Sequence, residues 1–188
     1  MPSKNKAARS PRHPHCLASP PPGRRPHRRY LSRPRHCGRD GARAGLAQPA
    51  QGAARDALRR SVREAGLTSC QVFGDGMTVQ VEDSDYEPDA LLHCGPRLPS
   101  DSTKVSNPLV LVEVLCPDSG TRDRATKLRA YFKLPSVQHY LIVWPEERRI
   151  VRHSRMPNDQ VATQIFVSGE IGLDPPGLTV TVEEFYVD

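Results

Sequence analysis

A single carboxylate inside an apolar run constrains this chain more than any other feature. Leu109-Val110-Leu111-Val112-Glu113-Val114-Leu115 reads as a strand covered on both faces, because continuous rather than alternating hydrophobicity marks burial on two sides. An acid in such a strand is costly unless a cation or a set of donors meets it. Glu113 therefore needs a partner. Two neighbouring stretches offer one: Pro88-Asp89 upstream, and the basic segment from Thr121 to Leu134 downstream, which precedes a second apolar run, Tyr140-Leu141-Ile142-Val143-Trp144.

The elements around these runs follow from spacing. Ala53 to Leu67 places Ala54, Leu58, Val62 and Ala65 at helical intervals, with Gly66 as a stop and arginines on the other face. The arginines read first as a solvated face and second as a phosphate-binding one. Residues 70–73 and 78–81 flank Gly74-Asp75-Gly76 and predict a hairpin. Tyr86 to His93 reads as a strand opened by Pro88, and Gly95 to Asn107 as a polar loop. After the Glu113 strand, Ser119 or Thr121 can cap a helix running to Leu134. On it Ala125, Leu128 and Phe132 form the expected core stripe, while Asp123, Lys127 and Tyr131, four apart, share a neighbouring face. Strands are expected over residues 137–144, 149–153, 161–167 and 178–182.

Charge divides the chain in two. Residues 1–45 hold twelve Lys or Arg against one acid, Asp40, whereas the remainder is acidic on balance, so the net +6 belongs to the tail. That tail, rich in Pro, Arg and His, reads as disordered, because it offers little apolar surface to offset its ordering entropy. Its readings are a nucleic-acid-adhering arm, a transit peptide, and a stretch translated from a shifted frame or wrong start. Residues 46–188 form the folding domain. Five cysteines, an odd number without a CxxC pair, argue against a disulfide framework and for a reducing, cytoplasmic setting. No run is long enough to span a bilayer, so no membrane association is expected. Cys94 and Cys116 with His93 and His139 fit no zinc spacing.

Two carboxylates at the ends of adjacent strands can share a hard cation such as Mg²⁺, which takes oxygen ligands and keeps several waters. Asp89 and Glu113 could hold it, and Lys127 could orient water or stabilise charge on phosphate oxygens. The plainer reading stands beside this one: Asp89 as a turn residue, and Glu113 as half of an ion pair.

Together, Tyr86-Glu87-Pro88-Asp89-Ala90, Val112-Glu113-Val114-Leu115-Cys116-Pro117, Arg122-Asp123 with Lys127-Leu128 and Tyr131-Phe132, and His139-Tyr140-Leu141-Ile142-Val143 resemble the Uma-two family. That family groups restriction-endonuclease-like proteins of the PD-(D/E)xK nuclease superfamily. The resemblance spans residues 46–188 and implies an α/β fold: a helix, three mostly antiparallel strands, a second helix and a fourth strand. It implies a Mg²⁺- or Mn²⁺-dependent DNA endonuclease, with Asp89 and Glu113 as metal ligands and Lys127 as the third catalytic residue. The usual lysine position, two after the acid, is Leu115 here, which moves the role to Lys127 on the following helix. Asp123, Cys116 and Tyr131 would support the site, with Cys116 standing where family members commonly have Ser. Arg122, Arg124, Arg129 and Lys133 would meet phosphates, and the superfamily pattern suggests a homodimer. The alternative function is a catalytically inactive nucleic-acid-binding module of the same fold. Family members usually carry an N-terminal strand pair before the first helix, and residues 1–45 show no pattern for one.

Overall fold

The computed structural model describes residues 31–32, 47–115 and 121–186. In chain order the elements are β1 (Leu31–Ser32), α1 (Ala47–Glu64), β2 (Cys70–Phe73), β3 (Thr78–Val81), β4 (Ser84–Tyr86), β5 (Ala90–Cys94), β6 (Lys104–Val105) and β7 (Val110–Val114). Then come α2 (Thr121–Tyr131), β8 (His139–Trp144), β9 (Arg149–Arg155), β10 (Val161–Phe166), β11 (Glu170–Leu173) and β12 (Leu178–Thr181). A six-stranded sheet in the order β10-β9-β8-β7-β5-β2 forms the centre. It is antiparallel except between β7 and β8, the pair that α2 connects. A parallel pair needs a crossover, and the basic helix supplies it. A smaller sheet, β1-β4-β3-β6, and the β11–β12 hairpin complete the described strands, and 3-10 turns form at Pro157–Asp159 and Val182–Phe185.

The two faces of the main sheet build separate cores. On one, Ala50, Ala54, Ala57 and Leu58 of α1 meet Val112, Leu141, Val143 and Ile150, and the β11–β12 hairpin adds Ile171, Leu173 and Leu178. Alanines let the helix axis come close to the sheet, and Ser61 Oγ donates to the Thr179 carbonyl at 2.7 Å to bind the hairpin. On the other face, Leu111, Tyr140 and Ile142 pack with Val79, Val81 and Tyr86 of the small sheet and Ala130 and Tyr131 of α2.

Several expectations are corrected. The segment 86–93 is not one strand: β4 ends at Tyr86 and β5 starts at Ala90, because Pro88 lacks the N–H that a ladder would use. Glu87-Pro88-Asp89 is thus the passage between two sheets, and it delivers Asp89 to the mouth of β5. Among the described side chains of α2 the buried ones are Lys127, Ala130 and Tyr131, while Ala125 is exposed and Leu128, like Phe132 just past the helix, is half-buried. The polar face of α2 packs inward because a buried acid waits there. Cys70 and Cys94, read as free thiols, form a disulfide. They lie directly opposite in the β2–β5 pairing, a proximity set by register rather than by sequence spacing. Leu31–Ser32, inside the segment read as disordered, pairs in parallel with Asp85–Tyr86 of β4. The rest of residues 1–45 lies outside the described residues. No helix among the described residues is long and apolar enough to cross a membrane.

Candidate active site

The strand register brings the two acids together. Ala90 of β5 faces Val112 of β7, so one step further along this antiparallel pair sets Asp89 opposite Glu113. Both are buried, at 5% and 7% exposure, as is Lys127 at 7%. Asp89 Oδ2 accepts the Val114 backbone N–H at 2.6 Å, and Oδ1 accepts from Gln51 Nε2 at 2.7 Å. Glu113 Oε2 accepts from Lys127 Nζ at 2.7 Å, and Oε1 accepts from the Tyr131 hydroxyl at 2.8 Å. Asp123 Oδ2, one turn before Lys127, lies 4.0 Å from the ammonium. The four-residue spacing of Asp123, Lys127 and Tyr131 thus points one face of α2 at β7.

The electrostatics of the two acids differ. Burial, and then the negative charge of Glu113, push Asp89 from its ordinary 3.8 up to about 7, against the Val114 N–H that favours the carboxylate. Burial also raises Glu113, but Lys127 and Tyr131 oppose that rise. Tyr131 is held neutral well above the usual phenol range by burial and by Glu113, so it is a permanent donor to that carboxylate. Edge-to-face contacts with Tyr86 and Tyr140, at 5.4 and 5.1 Å between ring centroids, fix its ring.

The residues suit a hard divalent cation. Burial and a second carboxylate raise Asp89 in the way a missing positive charge would relieve, and both candidate ligands are oxygen donors. Among the described residues no group of three or more His, Cys, Asp and Glu gathers as a metal cluster. Two carboxylates with water completing the shell fit Mg²⁺ better than a closed all-protein cage.

Of the sequence-derived site residues, the fold brings together Asp89, Glu113, Lys127, Tyr131 and Asp123. Cys116 lies outside the described residues, and Arg122 falls in the first turn of α2. The Arg124 guanidinium stacks over Trp144 at 4.8 Å, and Arg149 stacks on the same ring at 4.5 Å. Arg129 on α2 and Lys133 just past its end are exposed and line a cavity of about 230 Å³ with Glu82, Ser84 and Thr126. Lys133 pairs with Glu82 there at 2.8 Å. His93 and His139 stand apart from the acids: the His93 ring nitrogens meet the Asn107 and Pro96 carbonyls, and His139 meets Pro175. Sequence reasoning missed Gln51. Its helix was expected to begin at Ala53, after Pro49 and Gly52, yet α1 begins at Ala47 and Pro49 sits in its first turn, where no helical hydrogen bond is lost.

An α/β core with a mostly antiparallel sheet, two helices and an acid pair at the mouth of neighbouring strands defines a restriction-endonuclease-like fold. The model of the Uma2 (Uma-two) family, described as "Putative restriction endonuclease", matches residues 46–183, and the chain belongs to that family. It is similar to the uncharacterized protein slr1290 of Synechocystis sp., 28% identical over 120 residues, which cover 62% of this chain and 63% of that protein. The match therefore spans a little under two thirds of that relative's length. Its fold is similar to the crystal structure of "a putative nuclease belonging to DUF820" from Anabaena variabilis, with a TM-score of 0.60 at 15% identity, covering 75% of this chain and 80% of that one.

Proposed function

We propose that the chain is a divalent-metal-dependent endonuclease, hydrolysing phosphodiester bonds in DNA. Asp89 and Glu113 would hold Mg²⁺ or Mn²⁺, and Lys127 would be the catalytic cation. One observation carries this reading: two carboxylates are buried side by side, Glu113 on β7 and Asp89 one residue before β5, and Asp89 is destabilised as an anion by its surroundings. When bound, the cation supplies Lewis-acid polarisation of the phosphodiester and favours hydroxide near neutral pH. The chain's own residues do the rest. The Val114 N–H and Gln51 fix the Asp89 carboxylate, while Tyr131 and Lys127 fix Glu113 and favour its carboxylate form against the burial that raises it. Lys127 brings the positive charge that a phosphate with developing negative charge requires. Arg122, Arg124 and Arg129 on α2, and Lys133 just past its end, are assigned to phosphates flanking the reacting one.

Supercoiled plasmid incubated with the full chain and Mg²⁺ or Mn²⁺ tests this. Nicked and linear products are expected, absent with a chelator and absent for the Asp89→Ala, Glu113→Ala double variant. Equal conversion by wild type and double variant would sink the proposal. One feature favours the inactive binding module as the second reading: both Glu113 oxygens are already satisfied within the chain. That reading predicts oligonucleotide affinity that falls steeply with salt and ignores chelators.

A further inference from the structure

The main sheet has two edges, and they are finished differently. At one, β2 is four residues long, half-buried throughout, and tied to β5 by the Cys70–Cys94 disulfide. At the other, β10 is six residues long and ends the sheet order. Residues 160–169, from Gln160 to Gly169, contain no Lys, Arg, Asp or Glu, in a chain that is 26% charged. Long uncharged edges invite pairing with another strand, and natural edges ordinarily carry a charge, proline or bulge against it. Large apolar side chains also stand exposed here: Val161 at 40%, Ile165 at 63% and Val167 at 69%. They alternate on one face, where Thr163 lies opposite His153 and Ile165 opposite Val151 of β9.

We propose that β10 pairs antiparallel with β10 of a second copy of this chain, making one continuous sheet around a two-fold axis. Side chains opposite each other in an antiparallel pair share a face, so the axis must fall on a residue rather than between two. An axis at Gln164 keeps the whole uncharged segment in register. Val161 then meets Val167 of the copy, Thr163 meets Ile165, Ala162 meets Phe166, and Gln164 meets itself. No charged residue of this segment opposes another, and each exposed aliphatic gains a cross-strand neighbour, the contact that stabilises sheets. The self-complementarity commits the edge to a second copy rather than to a partner of opposite charge. This inference goes beyond the nuclease reading and stands whether or not DNA is cut.

Molar mass by light scattering or sedimentation, across a concentration series of the full chain, tests it. The mass is expected to rise towards twice the 20.9 kDa of one chain, and to do so equally at low and high salt. Ile165→Lys places an ammonium at the edge and is expected to return the mass to one chain. Its melting temperature should match that of the wild type at dilutions where the wild type is a single chain, because Ile165 is exposed and only the dimer's contribution is lost. Thr179→Lys, on the exposed face of β12, is the control and should leave the dimer intact. A single-chain mass throughout, a dimer that high salt dissolves, or a dimer indifferent to Ile165→Lys would each overturn the proposal.

Discussion

The two faces of the six-stranded sheet were built from different materials. The α1 face is alanine, leucine, valine and isoleucine, closed over by the β11–β12 hairpin and Phe185. The α2 face holds three tyrosines in a row, Tyr86, Tyr131 and Tyr140, and buries Glu113 and Lys127 among them. Aliphatic burial stabilises without conditions, at ~25 cal/mol per Å². A buried ion pair returns little net stability and becomes a liability once either partner is lost. One face supplies stability, and the other gives some of it up to hold a charged cluster.

Removing one residue from each face breaks the comparison most sharply. Lys127→Ala leaves Glu113 buried without its cation, a loss of roughly 3–5 kcal/mol, or about 10 °C or more at ~3 °C per kcal/mol for a chain of this size. Plasmid cleavage should vanish with it. Leu141→Ala, fully buried on the α1 face, should cost a similar ~2–5 kcal/mol. The folded fraction of that variant should still cleave. Lys127→Met combined with Glu113→Gln removes both charges and should recover most of the melting temperature while activity stays lost. If the double variant is no more stable than Lys127→Ala, the pair is not what makes this face costly.

Asp89→Asn sharpens the contrast between the two acids. The folded state holds the Asp89 proton up to about pH 7, whereas the unfolded chain releases it near 3.8. Between those values the folded state binds more protons, so stability falls as pH rises through the window and is lowest above it. Asparagine can keep the Val114 contact through its oxygen and meet Gln51 with its amide turned over, without a charge. At pH 8 the variant should therefore melt roughly 5 °C above the wild type without metal, corresponding to ~2 kcal/mol, and the gap should close by about pH 4. Added Mg²⁺ should raise the wild-type melting temperature at pH 8 and leave the variant unmoved. A wild-type curve flat from pH 4 to 8 would count against the burial argument.

Much of the α2 face is legible in the sequence alone. Glu113 announced itself by interrupting an apolar run, and the Asp123-Lys127-Tyr131 spacing gave the face of α2 that meets it. What misled was the assumption that the apolar stripe of a helix must point inward: Ala125 is exposed because α2 turns its charged face to the acid. The Cys70–Cys94 bridge was invisible for another reason. It depends on which strand β2 pairs with, and nothing local to either cysteine encodes that. The break at Pro88 is half legible: the proline predicts the opening of a strand, whereas it ends one sheet's path and starts another.

Tyr131→Phe is a smaller perturbation on the same face. The ring stays packed between Tyr86 and Tyr140, and only the hydrogen bond to Glu113 disappears, worth ~1.5–3 kcal/mol for a charged acceptor. A melting-temperature loss of about 5 °C and roughly tenfold slower cleavage are expected, because Glu113 remains paired with Lys127 but can rotate.

The smallest expected effect is the most informative about how the faces communicate. Gln51 belongs to α1, the helix of the aliphatic face, yet its amide reaches Asp89 on the far side of the strand ends. Gln51→Ala removes one hydrogen bond to a carboxyl whose other oxygen stays bound by Val114. The stability cost should be ~1 kcal/mol and hard to resolve by melting. If Gln51 only fills space, cleavage should be unaffected. If it positions Asp89, the Mg²⁺ concentration needed for half-maximal rate should rise severalfold, and Gln51→Glu, which adds a third carboxylate, should shift that requirement where alanine and methionine do not restore it. A positioning role would mean that α1 is not silent after all. The division between the faces would then hold for packing energy but fail at the one residue where the helix passes the mouth of β5.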